Sequence, residues 1–572
     1  MNNQEIARIF NEIADLLEIK AENPFRIRAY RRAALNIESL AGDVAETPKD
    51  ELMKVPGIGK DLAGKIEEYV KTGRIQAYEE LKKELPEGLG VLLSVPGLGP
   101  KTAKLLSEKL KIKNLQDLER FASEHKLRGL PGIKEKTEEN ILKGIGMLKR
   151  GMERQPLGKV LPIADDILER LRQKAPVRQL SIAGSIRRWK DTIKDIDILA
   201  ISDDPKSVMN VFVRLPSVKD ILMQGPTKSS VILREGIQVD LRVVEEDSFG
   251  AALAYFTGSK SHNIRLREMA VRAGLKINEY GVFREKDDKK VGGGKEGDIY
   301  RVLGLPFIPP ELREDAGEIE AALEGRLPEL VTLSDIKGDL HVHTKRSDGS
   351  HDYDELIQEA KKRGYEYIAI TDHSKGLGIA RGLSEERLLE ERKEIGAINK
   401  KLRGFKLLAG VEVDIRSDGR LDFADDILRQ MDIVVASIHS GFRQGREQIT
   451  GRLVAAMRNP YVSVIAHPTG RLIGERDPYE VDMAEVLKVA KETGTAIEIN
   501  AYPLRLDLND VYAKTAKEMG VPLVISTDTH ITSQFNYMAY GVSIARRGWL
   551  EKKDVLNTLG YQSLMKALKK KK

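Results

Sequence analysis

"KGDLHVHTKRSDGSHDYDEL", Lys337 to Leu356, carries His341, His343 and His351, three of only nine histidines in a chain of 572 residues. Asp339 and Asp348 lie among them. A polar surface loop is the plain reading, and one wall of a metal site is the other. The rhythm of the chain from here to the C-terminus decides between them. Strand-like apolar runs end at Leu340, Thr371, Val411, Ile438, Ala466, Ile499 and Ser526, with helical stretches between most of them. Seven β-then-α units predict a parallel barrel. At the ends of those runs stand His341, His343 and Asp348, then His373, Glu412, His439 and His467, and finally Asp528 and His530. Barrel enzymes keep their chemistry at that C-terminal mouth. Nine candidate ligands exceed what one four-coordinate ion needs, so two or three ions are expected. His125, His262 and His351 find no place in the set. Tyr502 and Arg505, after the sixth run, are candidates for substrate contact.

Composition limits the alternatives. The length predicts about three to five domains. Cysteine is absent, which excludes disulfides and thiolate metal sites and leaves His, Asp and Glu as ligands. It fits a reducing cytosol. A net charge of +6 is compatible with nucleic-acid binding without demanding it. The N-terminus reads as neither a signal peptide nor a membrane span, and Lys569–Lys572 as a solvated tail.

The first 150 residues read as helices joined by glycine turns. "VPGIGKDLAGKI" from Val55, "VPGLGPKTAKLL" from Val95 and "LPGIKEKTEENI" from Leu130 are an internal repeat. Gly57 and Gly59, then Gly97 and Gly99, permit close backbone approach, and the helix N-terminus after each pair offers N–H groups to a phosphate. Lys60 and Lys101 stand where they could pair with it. This is helix-hairpin-helix logic, which grips the DNA backbone without reading sequence. Lys134 replaces the second glycine in the third copy.

From about 155 the pattern turns to short β-rich runs typical of an α+β sheet domain. In "SIAGSIRRWKDTIKDIDILAIS", Asp195 and Asp197 are two apart on a strand and face one way. Asp240, in "IQVDLRVV", lies on a second strand. Three converging carboxylates can hold two divalent cations for phosphoryl transfer. Gly184 and Ser185, with Arg187 and Arg188 after them, supply the N–H groups, hydroxyl and planar cation that a triphosphate needs.

This combination resembles the nucleotidyltransferase palm of family X DNA polymerases, the polymerase beta-like enzymes. "YFTGSKSHNIRLREMAVRAGLKINEYGVF", Tyr255–Phe283, is similar to the nucleotide-selecting segment of that family. The resemblance implies that Tyr255, Phe256 and Gly258 lie against the incoming sugar, Asn263 touches the minor-groove edge of the base, and Arg267 faces the template. It implies a magnesium or manganese pair at Asp195, Asp197 and Asp240. It also casts the first repeat as a DNA-end-binding domain, with Arg26, Tyr30 and Arg32 on a 5′-phosphate and Lys65 where some relatives carry a Schiff-base lyase lysine. Gln238 departs from the arginine that many eukaryotic relatives carry there.

The barrel residues resemble the polymerase-and-histidinol-phosphatase (PHP) domain, a distorted (β/α)7 barrel. That resemblance implies one ion on His341, His343, Glu412 and Asp528, a second sharing Glu412 with His439 and His467, and a third on Asp348, His373 and His530. Manganese, zinc and iron all suit such ligands.

The expected division is 1–90 and 91–153 (two helix-hairpin-helix regions), 154–247 (palm), 248–318 (nucleotide selection), 319–334 (linker, marked by Pro306, Pro309 and Pro310 just before it) and 335–572 (PHP). The expected whole is a bacterial or archaeal gap-filling polymerase of base-excision repair. It would bind gapped or nicked duplex DNA and deoxynucleoside triphosphates as a cytoplasmic, nucleoid-associated monomer without membrane contact. A 3′→5′ exonuclease and a candidate abasic-site endonuclease would sit in the barrel. Two other readings stand beside it: a DNA-binding scaffold with a dead polymerase, and a phosphatase of small esters tethered to a DNA-binding module.

Overall fold

The computed structural model describes residues 2–20, 22–38, 44, 47–53, 58–84, 92, 95, 98, 100–149 and 154–569. It divides into two compact units, 1–154 with 204–242, and 155–203 with 243–572. Among the described residues no helix is long and apolar enough to cross a membrane.

The first unit is mostly helical. Helices Asn2–Ile19 and Pro24–Glu38 bring Phe10, Ile13, Leu17, Ala33 and Ile37 into one core with Ile66 of helix Lys60–Thr72 and with Leu106, Leu118 and Ile145 further along. The third repeat is pinned by Glu138. Its buried carboxylate accepts from Arg128 Nε at 2.6 Å and from the Leu127 amide, and meets His125 Nδ1 at 2.8 Å. The later segment of this unit is helix Pro205–Val213, capped by Asp204, and an antiparallel meander of strands Val218–Gln224, Lys228–Leu233 and Gln238–Val243.

The second unit begins with helix Leu157–Lys174 and an antiparallel strand pair, Gln179–Ile182 with Asp195–Ile201. Helices Phe249–Thr257 and Lys260–Arg272 and a three-stranded antiparallel sheet come next. The barrel then runs through seven parallel strands in sequential order: Gly338–Val342, Tyr367–Ile370, Lys406–Asp414, Ile433–Ser437, Val464–Ile465, Ala496–Asn500 and Leu523–Ser526. Beyond the seventh strand, Thr529 bridges back to Val342, which brings the two edges together. The strands are buried along almost their whole length, as expected of a parallel sheet covered on both faces. Leu340, Leu408, Val435 and Val524 fill the interior against Leu564 and Leu568 of the last helix. Alternate residues such as Ile368, Leu407 and Val434 pack outward under the helices.

Residues 319–334, expected as a linker, are packed instead. Helix Glu318–Leu323 buries Ile319, Ala321 and Ala322. The Glu318 carboxylate accepts from the amides of Asp315 and Ala316 and meets His262 Nδ1 at 2.6 Å. Val331 N then donates to Leu550 O, and Arg546 pairs with Glu311 at 2.7 Å. An acidic, proline-flanked stretch is no tether once its carboxylates are satisfied internally.

Candidate functional site

The nine barrel candidates converge around one carboxylate. Glu412, on the third strand, is 1% exposed. Its Oε2 lies 2.8 Å from His373 Nδ1, 3.3 Å from His341 Nε2 and 3.6 Å from His343 Nε2. Its Oε1 lies 3.2 Å from His467 Nε2 and 3.4 Å from His439 Nε2. Asp528 Oδ1 is 3.2 Å from His343 Nε2. Asp348 stands 3.4 Å from both His373 Nε2 and His530 Nε2. Three groups of donor atoms are compact enough to hold an ion: His341, His343 and Asp528; His373, Glu412 and His439; and His343, Asp348, His373 and His530. This grouping differs from the expected one in four ways: His373 and His343 each reach two groups, Glu412 is absent from the group of His341 and Asp528, and His467 falls in none of the three although it lies 3.2 Å from Glu412.

The donor set suits divalent cations. Five of its buried polar atoms make no well-aligned hydrogen bond, even where a carboxylate lies close: His341 Nε2, His343 Nδ1, His373 Nδ1, Glu412 Oε2 and His467 Nδ1. Unpartnered buried polar atoms are costly in a core and natural in a ligand shell. Electrostatics splits the histidines. Burial, with the neighbouring His530 and His373, pulls His343 down to about 4. Burial also opposes charge on His373, but Glu412 and Asp348 outweigh it and raise that ring to about 10. Opposite shifts in stacked rings 4.5 Å apart mark a cluster that cannot all be protonated together. His467 and Asp528 also hold left-handed backbone, at φ 30° and 56°. Such outliers gather at functional sites.

Residues outside the expected set hold the ligands in place. Glu498 Oε1 meets His341 Nδ1 at 2.8 Å, and its Oε2 accepts from the His467 amide. Asn500 donates to Glu498 and to Asp528. Asp414 accepts from the His439 amide. Glu498 and Asn500 are two apart in the apolar strand "AIEIN", a same-face polar pair that sequence inspection can find. Arg505 lines the pocket with Nε 3.7 Å from Asp528 Oδ2. Tyr502 packs edge-on against Tyr537. His351 stays outside the cluster, 3.2 Å from Glu355.

The palm residues are more open. Asp195 and Asp197 are half-buried and alternate with buried Ile196 and Ile198. Gly184 is indispensable beside them: its φ is +63°, and a β-carbon there would lie 2.5 Å from Asp197 Oδ2. Asp240 accepts from Gln238 Nε2 at 3.1 Å, so its local partner is a neutral amide. Ser185 lies in the short turn Gly184–Arg187. Arg187 makes a two-pronged pair with Glu296 at 2.6 and 2.7 Å. Arg188 Nε meets Glu314 at 3.0 Å, and its Nη1 donates to Thr257 O. Tyr255 and Phe256 stack edge-on just before Gly258. Asn263 donates to Tyr255 O at 2.7 Å, and Arg267 to Asn263 O.

In the first unit, Gly59 leaves open space at the start of helix Lys60–Thr72, and Lys60 is exposed there. Arg26 is exposed near Glu22, and Arg32 is half-buried. Tyr30, expected on a 5′-phosphate, is instead 1% exposed in the core, edge-on to Phe10. Lys65 is largely covered, 2.5 Å from Asp61 and 6.0 Å over the Tyr30 ring. Gly57, Gly97 and Gly99 lie outside the described residues, and of Lys101 only the backbone, in helix Pro100–Leu110, is described.

Family models match four stretches of the chain. A helix-hairpin-helix domain matches residues 1–75 and a SAM-like helix-hairpin-helix tandem 89–146. A DNA polymerase beta thumb matches 252–314 and a PHP domain 339–502. Such modules on one chain define a multidomain DNA enzyme with a metal-dependent hydrolase-like barrel. The chain is 42% identical over 572 residues to the "DNA polymerase/3′-5′ exonuclease PolX" of Bacillus subtilis (strain 168), covering 100% of both. It is 25% identical over 338 residues to DNA polymerase lambda of Rattus norvegicus, covering 53% of this chain and 56% of that one. The barrel region is 31% identical over 233 residues to a probable phosphatase of Thermoanaerobacter sp. (strain X514), covering 38% of this chain and 89% of that protein. The chain belongs to the family X DNA polymerases that carry a C-terminal PHP domain.

Proposed function

We propose that the protein is a DNA-directed DNA polymerase that fills short gaps in base-excision repair and trims 3′ ends with its barrel. The observations that carry this reading are the Asp197 carboxylate beside the Gly184–Arg187 turn and the separate carboxylate and histidine cluster around Glu412. A full-length relative whose name joins the same two activities supports it.

In the palm, Asp195, Asp197 and Asp240 are the ligands proposed for magnesium or manganese. Gln238 orients Asp240, and the amides and hydroxyl of the turn at Ser185 receive the triphosphate. Asn263 must leave the Tyr255 carbonyl to reach the edge of an incoming base. Tyr255, Phe256 and Gly258 wall the sugar, and Arg267 faces the template. In the barrel, the nine ligands hold two or three manganese, zinc or iron ions. Bound there, such ions lower the pKa of an attacking water and neutralise the phosphodiester. Arg505 adds a fixed cation for the scissile phosphate, and Glu498 keeps His341 oriented. Activity at abasic sites belongs to the same centre. The hairpins at Gly59–Lys60 and 97–101, with Arg26 and Arg32, hold gapped or nicked duplex DNA. The domain division is 1–90, 91–153, 154–247, 248–318 and 335–572, with the packed 319–334 segment as a strut. The protein works as a monomer at the nucleoid.

A phosphatase of small esters is the second reading, favoured by the likeness of the barrel to a probable phosphatase. One gapped substrate with a labelled 3′ end tests both. Asp195→Ala with Asp197→Ala is expected to abolish extension and spare degradation, and His341→Ala with His343→Ala to do the reverse. Hydrolysis of an amino-alcohol phosphate with no degradation of the strand would favour the phosphatase. Loss of both activities in either folded variant would defeat the two-centre model.

A further inference from the structure

Four charged side chains outside both carboxylate centres meet where the palm turn approaches the barrel wall. Arg547, in the last turn of helix Met538–Arg547, has a side chain 2% exposed. It pairs with Glu314 Oε1 at 3.0 Å and Asp510 Oδ2 at 2.5 Å, and it donates to the main-chain carbonyl of Arg188 at 2.7 Å. The same Glu314 oxygen accepts from Arg188 Nε at 3.0 Å. One carboxylate oxygen therefore lies between a guanidinium of the palm and a guanidinium of the barrel. A mere docking surface needs no such arrangement, since apolar contacts bury area without desolvating charge.

Glu314 is an anion in this setting. Burial works against its charge, but Lys190, Arg188 and Arg547 together hold its carboxyl well below the usual carboxylate range. Asp510 is held low in the same way, with Arg547 the leading cation. An anion 3.0 Å from Arg188 would oppose a triphosphate arriving at that arginine. Arg547, together with Lys190, offsets that anion, and it also fixes the backbone of the turn that carries Arg188.

We propose that Arg547, a barrel residue, is a positioning residue of the polymerase nucleotide site, acting through Glu314 and the Arg188 carbonyl. The barrel thus serves DNA synthesis independently of its metal ligands. This rests on the reading of Ser185 and Arg188 as the triphosphate turn.

The test uses the full chain on a gapped duplex, with the deoxynucleotide concentration varied. Arg547→Met is expected to raise KM for the nucleotide about tenfold, the loss of one charge-assisted contact, with kcat changed less than about threefold. Degradation of a single strand by the same preparation stays unchanged and reports an intact barrel. Adding Glu314→Gln to Arg547→Met removes the anion that touches Arg188, leaving only the more distant Asp510, and restores most of the affinity, whereas a purely structural role predicts a further loss. Arg547→Lys recovers part of it. An unchanged KM in Arg547→Met, or a double variant no better than the single, overturns the proposal. If Arg547→Met does not fold, Glu314→Gln alone decides: KM equal or lower supports the proposal, and a raised KM refutes it. Ser185→Ala separates the two levels. If it leaves KM unchanged, the triphosphate turn is misassigned; if it raises KM while Arg547→Met does not, only the present proposal fails.

Discussion

The barrel mouth gathers its carboxylates and histidines into one cluster, whereas the carboxylates proposed for the palm are placed by the chain in another way. All nine barrel ligands lie within one compact unit, in the C-terminal part of a strand or in the loop after it, and Glu412, His341, His343 and His467 are almost wholly buried. The palm carboxylates are half-buried and distributed over both units, with Asp195 and Asp197 in one and Asp240 in the other. The barrel centre is therefore built by the sheet itself, ligand by ligand. The proposed third palm ligand, Asp240, belongs to segment 204–242, which folds in the other unit. A preformed ligand shell is damaged by removing its hub. An open one is tuned by the few groups that orient it.

The contrast is most easily broken at Glu412. Glu412→Gln is expected to lower strand degradation roughly a thousandfold, beyond the 10–100-fold typical of outer-shell partners. Metal analysis of the purified variant should show more than one ion lost, because both carboxylate oxygens face histidines. Loss of a single ion would mean that the three groups load separately. Glu498→Gln tests whether the support is as preformed as the ligands. A 10–100-fold fall in degradation, with extension unchanged, is the expected result. In the palm, Gln238→Leu takes one neutral hydrogen bond from Asp240. Extension should slow about five- to tenfold, in line with roughly 1 kcal/mol, and steady-state kcat would reveal it. No change would mean that Asp240 is held by other contacts. The smallest effect belongs to Lys65, whose amine is engaged by Asp61. Lys65→Ala should alter gap filling less than about twofold, since a residue outside both centres contributes little to the chemistry. Borohydride trapping of a 5′-deoxyribose phosphate should yield little adduct with either form, because the nucleophile must first leave its ion pair.

Much of the barrel is legible in the sequence because strand, helix and ligand recur with one rhythm, so His373, Glu412, His439 and His467 announce their own positions. The seventh strand ends at Ser526 as expected, and the other six ends shift by one to three residues: the third strand continues to Asp414, and Glu412 lies inside it. Other features depend on partners far along the chain. Arg187 and Arg188 read as free cations beside Ser185, yet their carboxylates lie 109 and 126 residues away. Tyr30 sits in an arginine-rich helix, and nothing local says that its ring turns inward to Phe10. The acidic stretch after Pro310 reads as solvated because the buried imidazole that meets Glu318, His262, comes from another helix.

The packed strut between thumb and barrel has a consequence for traffic. With Glu311, Val331 and Glu318 all fastened, the barrel has no leash on which to swing toward a stalled primer. If one primer serves both centres, its 3′ terminus has to unpair to reach the barrel, and trimming would then favour ends whose last base pairs melt readily.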